Sequence, residues 1–590
     1  MNHRRYLGLF GYFVLVSACT PQGQDSAPSQ AQDAAPPPAL ESADVVFING
    51  KVLTVDADFS TVEAVAVTGN LVAAVGTTAE IESLADADTR VIDLEGRTLI
   101  PGLIDNHNHL LFNSPTWPQG VRLGRVRTRA EALERIAQKA QEIGPGDGPE
   151  HIVFAIGGWN PVQFTDDQSE FTREELDAIA PNNPVYTQIS WGTAVLNSKA
   201  MALGGITNDM PEPGPETGGR IWRDEDGNVT GKFTGSIFLK WQLRPLFPEV
   251  TGESVVAGVR AEIEDYLKLG VTTSMTYNGP EFPESALADI KRDLVDTGEL
   301  KMRLYYPPHF NNNVTAWTPE EVPNVVDGLV NRHEPESGPE MFQMLHFGEH
   351  VYLPVSDNFG MGERPYSDEL MEQFTIIATA AAEGGWQLAE HLNRDITANQ
   401  MLDIFEEIDK TYPMRDRRWR FEHAQGLSQA TIERMKDLGM AIGVHSSAAM
   451  SSPESRNANA FRRALLESQD APPLRWYQDS GIPFGLGSDA QVVAHDSPFF
   501  TLYWVVSGND TSGQPYFKHG TLTREEALIA HTRSNAYLMH KEDVLGSLEV
   551  GKLADIVVLD RDYMTIPVED IRNLNSVLTM VDGRIVFENL

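Results

Sequence analysis

The sequence predicts an α/β protein, a (β/α)8 TIM-like barrel joined to a small sheet domain built from both ends of the chain. Three observations predict it. Between residues 98 and 540, short apolar runs alternate with helical stretches, as in parallel strands buried on both faces. Several of those runs end on His or Asp, and the C-terminal ends of strands are where such barrels carry their reactive side chains. β-rich runs at the two termini flank this middle.

At 590 residues the chain is long enough to bury a large core. Its formal charge of −38 and pI near 4.7 exclude nucleic acid as a partner, because phosphates would be repelled. The sequence has no basic block and no internal repeat. Its one cysteine is Cys19, so no disulfide forms within it. Residues 1–18 have the shape of a secretory signal: Arg4 and Arg5, an apolar run from Tyr6 to Val16, then small Ser17 and Ala18. That run is short for a bilayer span. Val-Ser-Ala-Cys resembles a bacterial lipobox, which implies export and a lipid anchor on Cys19. Thr20 in place of Asp then implies the outer membrane, facing the periplasm. Residues 19–42, rich in Pro, Ala, Gln and Ser, read as a disordered tether.

Residues 43–97 form the first part of the terminal domain. ADVVFINGKVLTVD and VEAVAVTGNLVAAVG are β-rich, with Asn49-Gly50 and Gly69-Asn70 expected as hairpin turns. In the barrel region, Arg129–Ile143 is a helix with Thr128 and Glu131 in capping-box spacing. Strands are expected at IVFAIGG, VYTQIS, TTSMTYN, RLYYPP, FQMLHF, WQLAEH, RWRFEH, AIGVHS and PFGLGSD. With the first strand these exceed eight, so some belong to insertions. One insertion is expected near 205–235, where Gly218–Phe233 reads as a hairpin turning at Asp226-Gly227. Residues 541–590, with LADIVVLD and VLTMVDGRIVF, complete the terminal domain.

The candidate site begins at TLIPGLIDNHNH, residues 98–109. The apolar run Leu99–Ile104 leads to His107 and His109, whose i, i+2 spacing on a strand turns both imidazoles to one side. Three later runs close on His391, His423 and Asp489, the last preceded by Gly487 and Ser488. Imidazoles and a carboxylate on separate strand ends suit a divalent metal such as zinc. Trp159 and Trp191 follow early strands and either line a pocket or pack.

The stretches PGLIDNHNH, LNSKAMALGGIT, GGRIWRDEDGNVTG, RWRFEHAQ, PFGLGSDA and GSLEVGKLADIVVLDRD resemble the amidohydrolase superfamily. Within it they are similar to the third amidohydrolase group, which includes N-substituted formamide deformylases. The likeness spans roughly residues 44 to 588. It implies a metal-bearing barrel with a β-sandwich from both termini, one or two divalent ions with zinc first, and His107, His109, His391, His423 and Asp489 as metal-site residues. Two positions depart. Gln343 stands where relatives often carry a lysine that is carbamylated to bridge two metals, and Glu349 or His346 is expected to substitute, Glu349 better because it is anionic. His445 stands where relatives often carry glutamine, and either orients a carbonyl or assists proton transfer.

The resemblance implies hydrolysis of a non-peptide C–N bond in a small linear or cyclic amide, an N-substituted formamide among them, by water activated on the metal. Asp489 is expected to move the proton, with His423 or His445 helping to polarise the carbonyl. Two other readings stand beside it. One is deamination of an amino-substituted ring, although HLNRD lacks the HxxE of the deaminase branch. The other is a non-catalytic binding lipoprotein on the same fold.

Overall fold

The computed structural model describes residues 42–214, 219–235, 243–277, 284–309, 316–357, 364–450 and 469–590. The signal-like leader, Cys19 and the tether up to Glu41 lie outside the described residues. Among the described residues no helix is long and apolar enough to cross a membrane.

The fold is α/β and TIM-barrel-like. Parallel strands Leu103–Asn108, Val271–Thr276, Arg303–Tyr306 and Phe342–Met344 pair side by side in chain order. Strands His346–Phe347, Gln387–Arg394, Arg420–Gly426, Ala441–His445 and Phe484–Gly487 do the same. Only Leu345 separates the two series. At the other end Asn108 and Ala490 form a parallel bridge, with Asp489 N–H donating to His107 O at 2.8 Å and His109 N–H to Ala490 O at 2.7 Å. Strand Val271–Thr276 is buried at every position, so it shows no in–out alternation, and its Thr and Ser side chains are buried along with Val271 and Met275.

Strands from residues 51–101 and from residues 556–588 meet in one six-stranded sheet. Its order is Arg584–Glu588, Ser576–Val581, Ile556–Leu559, Thr98–Pro101, Lys51–Leu53, Thr61–Val62. A four-stranded sheet runs Leu71–Gly76, Ala64–Thr68, Val45–Ile48, Arg90–Asp93. Phe47, Val65 and Val67 of the second share an apolar cluster with Val52, Leu99, Ile556 and Leu578 of the first. Gly69-Asn70 is a hairpin turn, with Thr68 opposite Leu71. Asn49-Gly50 is not. Both edges of Val45–Ile48 are already taken, by Ala64–Thr68 and Arg90–Asp93, so the chain crosses there to the other sheet. Local turn chemistry specifies the bend but not the sheet that the next strand joins.

Val153–Ile156 and Val185–Ile189 do not join the parallel ring. They belong to a separate five-stranded sheet with Thr193–Leu196 and the hairpin Arg220–Arg223/Val229–Thr234. The segment between the first two ring strands is therefore longer than the 205–235 stretch suggests. Helix Arg129–Ile143 has the expected bounds, and Thr128 Oγ1 accepts from Glu131 N–H at 3.2 Å. The Glu131 carboxylate turns instead to Arg135, at 2.7 Å, so the box is half closed.

Helix Gly252–Lys268 buries Val255, Val259, Ile263 and Leu267 on one face, and Glu262 with them. Neither oxygen of Glu262 has a hydrogen-bond partner among the described residues. Burial raises its pKa well above the ordinary carboxylate value, against the pull of Arg122 and with the help of Asp496 and Asp265. An acid with a raised folded pKa is deprotonated first in the unfolded chain, so stability falls as pH rises above about 4.3. The slope is about 1.4 kcal/mol per pH unit until the folded pKa is reached. Glu262→Gln is expected to remove that slope, read by denaturant midpoints between pH 5 and 7. Parallel pH profiles for the two proteins would discard this account.

Candidate metal centre

The first and last ring strands are held in register by a polar clamp. Asp105 accepts from Ser488 N–H at 2.9 Å and Ser488 Oγ–H at 2.6 Å. The Asn535 amide donates to Ile104 O at 2.6 Å and Leu486 O at 2.7 Å, and accepts from Asn106 Nδ2 at 2.8 Å. A side chain in place of Gly487 would overlap Asn106, so glycine is required where the two strands close on each other. The clamp fixes His107 and Asp489 side by side.

Around Glu349, just past strand His346–Phe347, the predicted residues converge. Its Oε2 lies 3.6 Å from Nε2 of both His107 and His109. Its Oε1 contacts His391 Nδ1 and lies 3.1 Å from His423 Nε2. Asp489 Oδ1 is 3.2 Å from His109 Nε2 and 3.7 Å from His107 Nε2, and its Oδ2 is 3.8 Å from His423 Nδ1. His391 Nδ1 and His423 Nε2 are 2.9 Å apart, and His423 Nδ1 and His445 Nδ1 are 3.0 Å apart. Three donor groups close to within 4.8 Å: His107, His423 and His445; His107, His109 and Glu349; Glu349, His350 and His391.

Backbone strain sits at the same place. His423, Ala424 and Asp489 adopt left-handed conformations (φ 68°, 47° and 64°), each costing about 1–2 kcal/mol for a residue with a side chain. Strands Gln387–Arg394 and Arg420–Gly426 run three residues beyond His391 and His423, so these histidines lie within strands rather than at their ends.

Glu422, Arg420 and Tyr277 form the floor, and the sequence reading missed all three. Glu422 is fully buried and lies 3.0 Å from His445 Nε2 and 3.5 Å from His107 Nδ1. Its other oxygen accepts from Arg420 Nε at 2.5 Å and Tyr277 OH at 2.7 Å. A side chain at Gly443 would overlap this carboxylate, so the glycine keeps room for it. The i, i+2 spacing of Arg420 and Glu422 beside His423 was the available signal, since it places both on one face of the strand. Two buried charges on that face pair with each other.

Electrostatics follow from burial and these partners. Burial opposes charge on His107, yet Glu349 and Glu422 hold its pKa up at about 10. Burial, with His107 and His423 nearby, pushes His445 down to about 3. Burial alone would raise the Glu349 pKa, but the imidazoles of His107, His350 and His391 hold it well below the usual range. Both ring nitrogens of His107 are buried without a hydrogen-bond partner among the described residues. Such orphaned donors, beside carboxylate oxygens and neutral imidazole, fit a divalent ion of the zinc, manganese or iron kind.

Of the two candidates beyond Gln343, Glu349 is at the centre. His346 instead packs against Tyr277, ring centroids 4.5 Å apart, and enters none of the donor groups. The Gln343 amide donates to Gly338 O at 3.3 Å. Trp159 is packing, stacked on Phe164 and tilted against Phe171, with Nε1–H on Ala155 O at 3.1 Å. Trp191 is partly exposed at the end of the separate sheet.

A TIM-barrel-like α/β chain that gathers imidazoles and carboxylates on one side of its parallel strands has the architecture of a metal-dependent hydrolase. Comparison with known proteins supports the same class. Residues 90–587 match the amidohydrolase family, and the chain belongs to it. It is 29% identical over 565 residues to the N-substituted formamide deformylase of Arthrobacter pascens, covering 92% of this chain and 98% of that one. It shares its fold with uncharacterized metal-dependent hydrolases of Pyrococcus furiosus and Pyrococcus horikoshii. Their TM-scores are 0.59 and 0.60 at 23% and 21% identity, over 88% and 89% of this chain and 100% and 99% of theirs.

Proposed function

We propose that the protein hydrolyses a non-peptide C–N bond in a small linear or cyclic amide, with N-substituted formamides the first class to try. The observation that carries this is the meeting of His107, His109, His391, His423 and Asp489 around Glu349. Membership of the amidohydrolase family and the likeness to a formamide deformylase along nearly the whole chain support it. The eight-position parallel ring is read as a (β/α)8 barrel, and the two terminal sheets as its β-sandwich. The proposed boundaries are 43–97 and 541–590 for the sandwich and 98–540 for the barrel.

His107, His109, His391, His423, Asp489 and Glu349 would hold the metal, with zinc the first candidate. A bound divalent ion supplies Lewis acidity and brings the acidity of water toward neutral pH. Asp489 takes the proton of the attacking water and passes it to the departing nitrogen. His445 faces the same space from the strand end. Kept neutral by burial and held by Glu422, it orients the substrate carbonyl.

The test is turnover by the metal-loaded mature chain on N-substituted formamides, cyclic amides and amino-substituted rings. Amine or ring-opened product that disappears when a chelator strips the metal is the expected result. Ammonia from the rings alone would replace this reading with deamination. Turnover of no substrate by a chain that binds no metal would replace it with a binding protein. The lipid anchor is proposed on the sequence alone, and Cys19→Ser should move the protein from the membrane to the soluble fraction. Unchanged membrane association would end that proposal.

A further inference from the structure

A small cavity lined by none of the metal-centre residues lies where three distant parts of the chain meet. It measures about 10 Å³, room for one water-sized sphere, and its wall includes Gly124, Arg125, Arg127, His495, Thr511 and Arg572. In a chain of net charge −38, three guanidiniums and an imidazole gather at this one point.

Arg572 belongs to the short helix Val568–Asn573, with its guanidinium 4.6 Å from the centre of the Tyr503 ring. Its Nη2 donates to Glu569 at 3.1 Å, but Nη1 is buried with no hydrogen-bond partner among the described residues. A charged donor left in that state is costly. Arg127 gives one nitrogen to Thr511 O at 2.9 Å. Burial and the charge of Arg572 lower its pKa below the ordinary arginine value, with Tyr503, Glu569 and Asp510 pulling the other way. Burial lowers Arg125 as well, although Asp496 and Asp560 oppose it. The acids nearby therefore fall short of neutralising the arginines.

His495 is buried and stacked on Phe500, ring centroids 5.1 Å apart. Its Nδ1 accepts from Ser497 N–H at 2.9 Å, which leaves the proton of the neutral ring on Nε2. Asp496 lies 3.2 Å from Nδ1, at the opposite nitrogen. A side chain on Gly124 would overlap the Nε2 edge, so glycine leaves room at that donor.

We propose that this cavity binds a monatomic anion, chloride in ordinary solution, through Arg572 Nη1, Arg127 and His495 Nε2–H. A water of the same size needs acceptors as well as donors, and the Thr511 carbonyl is already engaged by Arg127. An anion needs donors alone and offsets the crowded charge. The site joins the 124–127 segment beyond the first ring strand, the segment after Asp489, and helix Val568–Asn573. An anion held only by the folded chain adds to the stability of that junction. The inference stands independently of the metal-dependent reading.

The experiment is urea unfolding at constant ionic strength, in sodium chloride, sodium phosphate and sodium gluconate, gluconate being too large for the cavity. Beside it stands a crystal soaked in sodium bromide, whose anomalous scattering locates the bound halide. The wild-type midpoint is expected to be higher in chloride than in gluconate, and a bromide peak is expected between Arg127 and Arg572. Arg572→Gln is expected to show the same midpoint in both salts. A chloride effect that survives in Arg572→Gln would place the anion elsewhere, the metal centre included, and overturn the proposal. A midpoint lowered equally in both salts would make Arg572 structural only and overturn it too. Stabilisation by phosphate alone would overturn the assignment of a monatomic anion. Should Arg572→Gln fail to fold, the bromide soak of the wild type decides, and an empty cavity would overturn the site.

Discussion

Replacing Asp489 by asparagine should lower kcat by about 10²–10⁴-fold while leaving most of the bound metal in place. Asp489 is buried, and burial alone would raise its pKa, but the hydrogen bond from His109 and the charges of His423 and His107 hold it below the ordinary carboxylate range. It therefore stands ionised at neutral pH, able to accept a proton. Asparagine matches its shape and retains an oxygen acceptor for His109, yet takes up no proton. Metal retention follows because the imidazoles and Glu349 remain. The measurement is turnover beside elemental analysis of the same preparation. Near-wild-type turnover would remove Asp489 from proton transfer. Joint loss of turnover and metal would make it a ligand first.

What could be read in the sequence follows from how local each cause is. The strands of the parallel ring could be marked because each is a short run without in–out alternation, although Val271–Thr276 buries Thr and Ser and Arg303–Tyr306 buries an arginine. His107, His109, His391, His423 and Asp489 drew notice because each follows an apolar stretch, although His391 and His423 stand three residues inside their strands. Glu349 was legible only through Gln343, whose amide left the centre without the anion expected there. Glu422 was not, because a Glu beside a His in a strand looks like alternation toward solvent. That it faces His107 is decided by the closure of the ring, which no local window contains. The turn at Asn49-Gly50 failed for the same reason, as did the extent of the separate sheet, which recruits Val153–Ile156 and Val185–Ile189.

The largest stability effect is expected where the ring meets the terminal sheet. Arg303, on the third ring strand, is fully buried, and its guanidinium makes paired bonds to Asp555 at 3.0 and 3.1 Å and a third contact with Asp582 at 3.1 Å. Asp555 just precedes strand Ile556–Leu559, so this fork ties the C-terminal segment to the ring. Burial works against the charge on Arg303, yet Asp555 and Asp582 hold its pKa above the ordinary arginine value, and it stays charged. Asp555→Ala would leave that charge buried with only the half-exposed Asp582 beside it, a loss of about 3–5 kcal/mol. Replacing both partners, Arg303→Met with Asp555→Leu, removes the stranded charge along with the pair and should recover much of the loss, since apolar residues of similar volume often substitute for a buried ion pair at little cost. Denaturant midpoints of the two single variants and the double complete the cycle. A change within about 0.5 kcal/mol in Asp555→Ala would mean that packing alone seats the terminal sheet. A double variant as unstable as the single would mean that the geometry of the fork, rather than relief of a buried charge, is what the junction requires.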